Sequence, residues 1–266
     1  MSNHLPSTKK SLGQHWLSDD LCLDAMVTAA GVEADDTVLE IGPGPGTLTQ
    51  KLVQAAREVV AVEFDEQLAR DLPRRLPTDN LHVVQSDILR FDLTSLPAHY
   101  KVVANIPYYL TSNLIRVLSE SANPPERAIV LIQKEVAERV AAKPGDMSLL
   151  SITAQFYWEV SLDRVVKAEL FTPPPKVDSQ ILCLKRRAKP LFDDIEPKQL
   201  FRLAKAGFGE RRKTLLNSLS GGLHLDKPAV RDILQRAGLA ENLRAQNLSL
   251  EDWHKLTKAT VNAENA

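Results

Sequence analysis

Cysteine is nearly absent: Cys22 and Cys183 are the only two in 266 residues, far apart in the chain. They fit no metal-ligand or redox spacing, which excludes a disulfide framework and a cysteine zinc site. A reducing, cytoplasmic setting is expected. No run approaches the roughly 18 apolar residues of a membrane helix, so a helical span is excluded. The first ten residues are polar and carry no apolar core of a secretory signal. No Gly-Lys-Ser/Thr follows a glycine loop, which excludes a Walker-type phosphate site. No internal repeat is present, and no metal is expected.

Net charge is also small, −1, but it is unevenly spread. Residues 185–266 hold 16 Lys and Arg against 10 Asp and Glu, whereas residues 1–184 hold 17 against 24. A basic C-terminal part suits a polyanionic partner, although a solvated basic face has the same composition.

What is there begins with an alternation of apolar runs and helical patterns, the signature of a mainly parallel sheet. Thr37-Val38-Leu39-Glu40-Ile41 reads as a strand running into Gly42-Pro43-Gly44-Pro45-Gly46, then a helix with Leu48, Leu52 and Val53 on one face. Glycines between a strand and a helix allow a sharp turn and a close approach of ligand to backbone. By itself that turn is equally a tight βα connection. The next strand, Val59–Val62, ends at Glu63, about 20 residues on, where a carboxylate accepts from a ribose diol. Leu81–Asp87 is a third strand, whose terminal Asp87 is placed for an adenine amine. The fourth, Val102–Ala104, delivers Asn105-Ile106-Pro107-Tyr108. Four successive strand ends thus bring Gly42, Glu63, Asp87 and Asn105 to one edge, where open α/β sheets bind ligands.

Asn105-Ile106-Pro107-Tyr108 carries the chemistry. The amide accepts from an amino group, the proline fixes the backbone so that a carbonyl of Ile106 or Pro107 points into the same site, and the tyrosine offers a flat face to a base. Thr111-Ser112 then reads as the cap of a helix through Leu114, Ile115 and Leu118. This equipment holds an exocyclic amine such as adenine N6.

Upstream, residues 11–17 are too apolar for a free tail and are expected to pack over the site, before a helix capped by Ser18 or Asp19 and stopped near Gly31. Downstream come a strand over 128–132, a helix from Gln133, an apolar helix over 148–158, and strands over 160–166 and 177–184. Between those strands, Phe171-Thr172-Pro173-Pro174-Pro175-Lys176 is a stiff extended loop that would hold Phe171 at the site mouth and Lys176 near phosphate. After Arg187 the pattern turns helical, with helices over 197–208, 210–219, 227–237 and 249–259. The division expected is an α/β domain over 1–188 and a helical domain over 189–266. Arg211, Arg212 and Lys213 would then crowd a helix start, against its dipole.

The order of parts resembles class I S-adenosylmethionine-dependent methyltransferases: a Rossmann-like sheet with helices on both faces, here with a small all-α C-terminal domain. Leu12-Gly13-Gln14, Glu40–Gly44, Asn105–Tyr108, Gln133–Val136, Phe171–Ser179 and Arg211–Thr214 together resemble the small-subunit rRNA adenine dimethyltransferases, the KsgA type, over about residues 9–258. The resemblance implies transfer of two methyl groups from S-adenosyl-L-methionine to N6 of each of two adjacent adenosines near the 3′ end of small-subunit rRNA, by a monomer, on an immature subunit. It implies cofactor contacts at His15, Leu17, Gly42, Gly44, Glu63, Asp87 and Asn105, catalytic roles for Asn105, Ile106, Pro107, Tyr108 and Phe171, and RNA contacts at Lys176, Arg211, Arg212 and Lys213. Where the family reads Gln-Asn-Phe-Leu, this chain has Gln14-His15-Trp16-Leu17. Two alternatives stay open: a large-subunit adenine methyltransferase of the antibiotic-resistance type, and a non-catalytic nucleic-acid-binding relative.

Overall fold

The computed structural model describes residues 6, 8, 9, 12–210 and 212–264, with the side chains of Tyr108 and Glu264 left aside. In chain order the elements are β1 (Trp16–Leu17), α1 (Asp20–Ala30), β2 (Thr37–Ile41), α2 (Thr47–Ala55), β3 (Glu58–Glu63), α3 (Glu66–Arg75), β4 (Leu81–Gln85), β5 (Lys101–Asn105), α4 (Thr111–Glu120), β6 (Arg127–Gln133), α5 (Lys134–Val140), α6 (Leu149–Tyr157), β7 (Trp158–Val166), β8 (Phe171–Thr172), β9 (Ser179–Arg186), α7 (Pro197–Phe208), α8 (Leu215–Leu223), α9 (Lys227–Arg236) and α10 (Leu250–Glu264). Among the described residues no helix is long and apolar enough to cross a membrane.

The chain forms two compact units. The first takes residues 1–137 and 159–186 and holds a seven-stranded sheet in the order β4-β3-β2-β5-β6-β9-β7. β2, β3, β4, β5 and β6 run parallel, and β9 pairs antiparallel with β6. The order reverses between β2 and β5, so a crevice opens above the carboxyl ends of those strands. All five residues of β2 are buried, as a central parallel strand covered on both faces requires. α1 packs beneath, its Leu23 and Met26 in one core with Val38, Leu52, Val103 and Ile129. Asp19 caps it by accepting from Cys22 N–H at 2.8 Å, and Gly31 ends it in the left-handed conformation. β4 and β7 are the edge strands.

The second unit takes residues 138–158 and 187–266. The split therefore differs from a simple cut at 188: α6 belongs with the C-terminal helices. Its Phe156 meets Phe201 of α7 edge to face at 5.6 Å, and Tyr157 lies 5.9 Å from the same ring. Gly222 lets α8 close on α7, since a Cβ there would stand 2.6 Å from the Ala206 methyl. Asp194 joins Lys258 and His254, whose ring stacks on Phe192 at 4.2 Å.

Two helix starts differ from expectation. α8 begins at Leu215, not 210, because Gly209 ends α7 and residues 212–213 lie in the turn before it. Arg212 and Lys213 thus precede the helix and oppose its dipole less than the sequence suggests. Arg211 lies outside the described residues. α4 begins at Thr111 itself with Leu110 at its cap position, since a 3₁₀ turn over Tyr108–Leu110 already feeds the helix.

Candidate active site

The crevice of the first unit is a cavity of about 430 Å³ at the ends of β2, β3 and β5 and in the turn after β4. Gly42, Glu63, Asp87 and Asn105 all line it, as do His15, Leu17, Ile106, Pro107 and Phe171. Residues 12–17 form one wall, confirming that this apolar stretch covers the site. Thr47 Oγ1 donates to Leu17 O at 2.8 Å, and β1 pairs with β8, setting Leu17 opposite Phe171. Trp16 is buried, and its indole N–H donates to Pro6 O at 2.9 Å.

Gly44 is a correction. It does not line the cavity but sits under Trp16: a Cβ there, at φ +56°, would stand 2.7 Å from the indole. Its N–H donates to Glu63 Oε2 at 3.1 Å, and Asp65 N–H donates to Oε1 at 2.8 Å. Gly44 therefore acts through Glu63, which is 6% exposed. Burial raises the Glu63 carboxyl above its usual range, against the pull of those amides. Two of the roughly four acceptor positions of a carboxylate are filled by these amides, leaving others for a diol. Asp87 is held likewise, accepting from Leu89 N–H at 3.0 Å.

Sequence reading missed four residues here. Glu40, 1% exposed inside β2, lines the cavity, and its Oε2 has no hydrogen-bond partner among the described residues. Burial pushes its carboxyl up to about 8; Thr49 beside it works the other way, and the Glu63 charge adds to the rise. Its signal was visible: an acid inside an otherwise apolar strand. Phe64, Tyr109 and Asn113 also line the cavity, all exposed.

On the β5 side the polar groups are open. The Asn105 amide makes no hydrogen bond with the described residues and faces the cavity half-buried. Of the two expected carbonyls, Pro107 O already accepts from Leu110 N–H at 3.0 Å, which makes Ile106 O the less engaged acceptor. Phe171 is 3% exposed and sits in the core with Leu17, so it is a wall and not a free stacking face. The side chain of Tyr108 lies outside the described residues. His15 Nδ1 is 2.7 Å from Pro173 O, which ties the wall to the proline loop. That bond requires a proton on Nδ1. Lys176 is exposed on the loop, away from the cavity lining. Asp178 anchors the loop by accepting from Lys167 at 2.9 Å and Ala168 N–H at 3.0 Å.

A parallel sheet with a glycine turn, a buried acid at the end of β3 and an open amide at the end of β5 define a class I methyltransferase. The cavity fits S-adenosyl-L-methionine: the orphaned Glu40 oxygen suits a ligand with positive charge, and Glu63 suits its diol. The chain belongs to the ribosomal RNA adenine dimethylase family, whose pattern matches residues 6–261. It is 40% identical over 260 residues to a ribosomal RNA small subunit methyltransferase A of Dehalococcoides mccartyi strain CBDB1, covering 96% of this chain and 89% of that protein. It is 38% identical to the one from Clostridioides difficile strain 630, covering 93% and 89%. Among solved structures, a dimethyladenosine transferase from Plasmodium falciparum superposes with TM-score 0.79 at 28% identity, over 93% of this chain and 98% of that one. The 23S rRNA methyltransferase ErmE does so with TM-score 0.73 at 29%, over 92% and 98%.

Proposed function

We infer that this chain is an S-adenosylmethionine-dependent rRNA adenine dimethyltransferase, and we propose that it modifies N6 of two adjacent adenosines near the 3′ end of small-subunit rRNA. The cofactor supplies a sulfonium methyl as electrophile. The nucleophile is poor, because the N6 lone pair is delocalised into the purine. Asn105 Oδ1 and Ile106 O accept from the amine and favour a pyramidal nitrogen whose lone pair is free. Holding the two reactants in line supplies much of the rate. Glu63 and Asp87 hold the nucleoside end of the cofactor, and Phe64 and the wall from His15 to Leu17 enclose it. Tyr108 stacks on the extruded base. No side chain beside Asn105 is needed as a base, since the amine proton is acidic once the methyl is attached and leaves to water.

The unpaired Asn105 amide carries this reading. An amide at a cavity wall with no protein partner is free to exchange water for a ligand's amine. The second unit, with Arg211, Arg212 and Lys213, is proposed to bind RNA, and Lys176 to meet phosphate near the first. The substrate is proposed to be an immature small subunit, met by a monomer in the cytoplasm. ErmE raises the large-subunit reading, but the curated relatives at 38–40% identity carry small-subunit names. Incubation of unmethylated small and large subunits with labelled cofactor, followed by mass spectrometry of the adenosines, tests both. Label confined to paired dimethyladenosines of the small subunit is expected. Label on the large subunit, or cofactor binding without transfer to any RNA, would overturn it.

A further inference from the structure

Two aromatic side chains among the described residues are strongly exposed, Phe64 at 58% and Tyr109 at 64%, and both line the same cavity. They stand on opposite sides of it. Phe64 follows Glu63 at the end of β3, on the cofactor side; Tyr109 follows β5, on the side of Asn105. An aromatic ring left in water at a concave site is a poor use of apolar surface unless a ligand covers it. Tyr109 does not stand alone. Asn113 lies four residues on, across the 3₁₀ turn and the first turn of α4, and also lines the cavity. Residues four apart on helical backbone are neighbours on one face. A ring and an amide therefore sit side by side at the mouth, beyond the pocket that Asn105 serves. Gly13 of the covering wall lies near Pro107 and the ring edge, a Cβ there falling 3.8 Å from Pro107 Cβ and 3.9 Å from Tyr109 Cε1.

Extruding an adenosine strips its neighbour of a stacking partner. An exposed ring beside the extrusion pocket can replace that partner. We propose that Tyr109 is a second base platform: it stacks on the nucleotide flanking the extruded adenosine, with the Asn113 amide at that base's edge. This rests on the N6-methylation reading. It deepens that reading by stating what the site demands of the substrate, an unpaired purine-like base next to the target. Tyr109 is then a positioning residue, because it never touches the reacting nitrogen.

The experiment compares wild type, Tyr109→Ala and Tyr109→Phe on unmethylated small subunits. Base stacking on an aromatic ring is lost on substitution by alanine and kept by phenylalanine. Tyr109→Ala is expected to lower kcat/KM for RNA about tenfold or more, while cofactor affinity stays within about twofold; Tyr109→Phe stays close to wild type. In a short RNA carrying the target, removing the flanking base should lower wild-type kcat/KM by a similar factor and lower the Ala variant little further, the non-additivity of two halves of one contact. Ala activity near wild type overturns the proposal. So does a Phe variant as impaired as Ala, or a loss of cofactor affinity in the Ala variant, which would make the ring a prop for Gly13. A wild-type enzyme that forms no dimethyladenosine defeats the parent reading, and this proposal with it.

Discussion

The two sides of the cavity solve opposite problems. On the β2–β4 side, carboxylates are pre-satisfied: Glu63 takes two backbone amides and Asp87 one. On the β5 side, Asn105 and Ile106 O are left open, and the neighbouring Pro107 carbonyl is already used by its own turn. A cofactor needs a rigid seat that is the same before and after the reaction. A nucleophile needs acceptors that engage only when it arrives, because only interactions stronger in the transition state raise turnover. On the proposed reading, the satisfied side serves binding and the open side serves chemistry.

The largest effect expected is on the binding side. Gly44→Ala puts a methyl 2.7 Å from Trp16 at φ +56°. Left-handed backbone costs a non-glycine residue about 1–2 kcal/mol, and overpacking adds about 1–3 more. Thermal unfolding should show a loss of a few kcal/mol, with weakened cofactor binding because the backbone shift that relieves the clash displaces the residue-44 N–H that steadies Glu63. Adding Trp16→Phe should recover part of the stability; no recovery would mean the indole is not what the methyl meets.

Next comes the chemistry side. Asn105→Ala should lower kcat at least about tenfold, or about 1.4 kcal/mol of barrier, with cofactor affinity and unfolding temperature little changed. If affinity falls as far as turnover, the division between the two sides is wrong.

Glu40 sharpens the comparison, since among the described residues it is the acid on the binding side with a fully buried oxygen that has no partner. Its carboxyl is raised from 4.5 to about 8, chiefly by burial. A raised acid favours the folded state at pH below 4.5, and that contribution is lost as pH climbs through about 8. Glu40→Gln should therefore flatten the fall in stability between pH 4.5 and 8 in cofactor-free protein. It should also weaken cofactor binding, because a bound cation draws the carboxyl into its charged form and an amide has no charged form to offer. An unchanged pH profile would show that Glu40 is ionised throughout.

Much of this was legible in the chain. β2, β3 and β5 follow β-branched runs whose ends carry the site residues, because a buried parallel strand has little choice of composition. The terminal acid, the glycine turn and Asn105 follow by counting. What stayed hidden depends on tertiary contact. Gly44 looks like a ligand contact until Trp16 is seen above it. α6 looks like part of the first unit until Phe156 and Tyr157 meet Phe201. Phe171 looks like a mouth residue until its burial is known. Tyr109 drew no notice, since an aromatic after Tyr108 is ordinary until it proves exposed.

The smallest effect separates binding of RNA from binding of cofactor. Arg212 and Lys213 are exposed in the turn before α8, and Lys213 pairs with Glu210 at 2.6 Å. A surface pair of this kind is worth little to stability, so Arg212→Glu with Lys213→Glu should leave the unfolding temperature and cofactor affinity nearly unchanged. RNA affinity should fall several-fold at low salt and converge with wild type as salt rises, since each phosphate-neutralising cation removed lowers the salt slope by about 1, or about 2 for the pair. An equal slope for variant and wild type would mean that these cations are only solvated, and that whatever holds the RNA lies elsewhere in the chain.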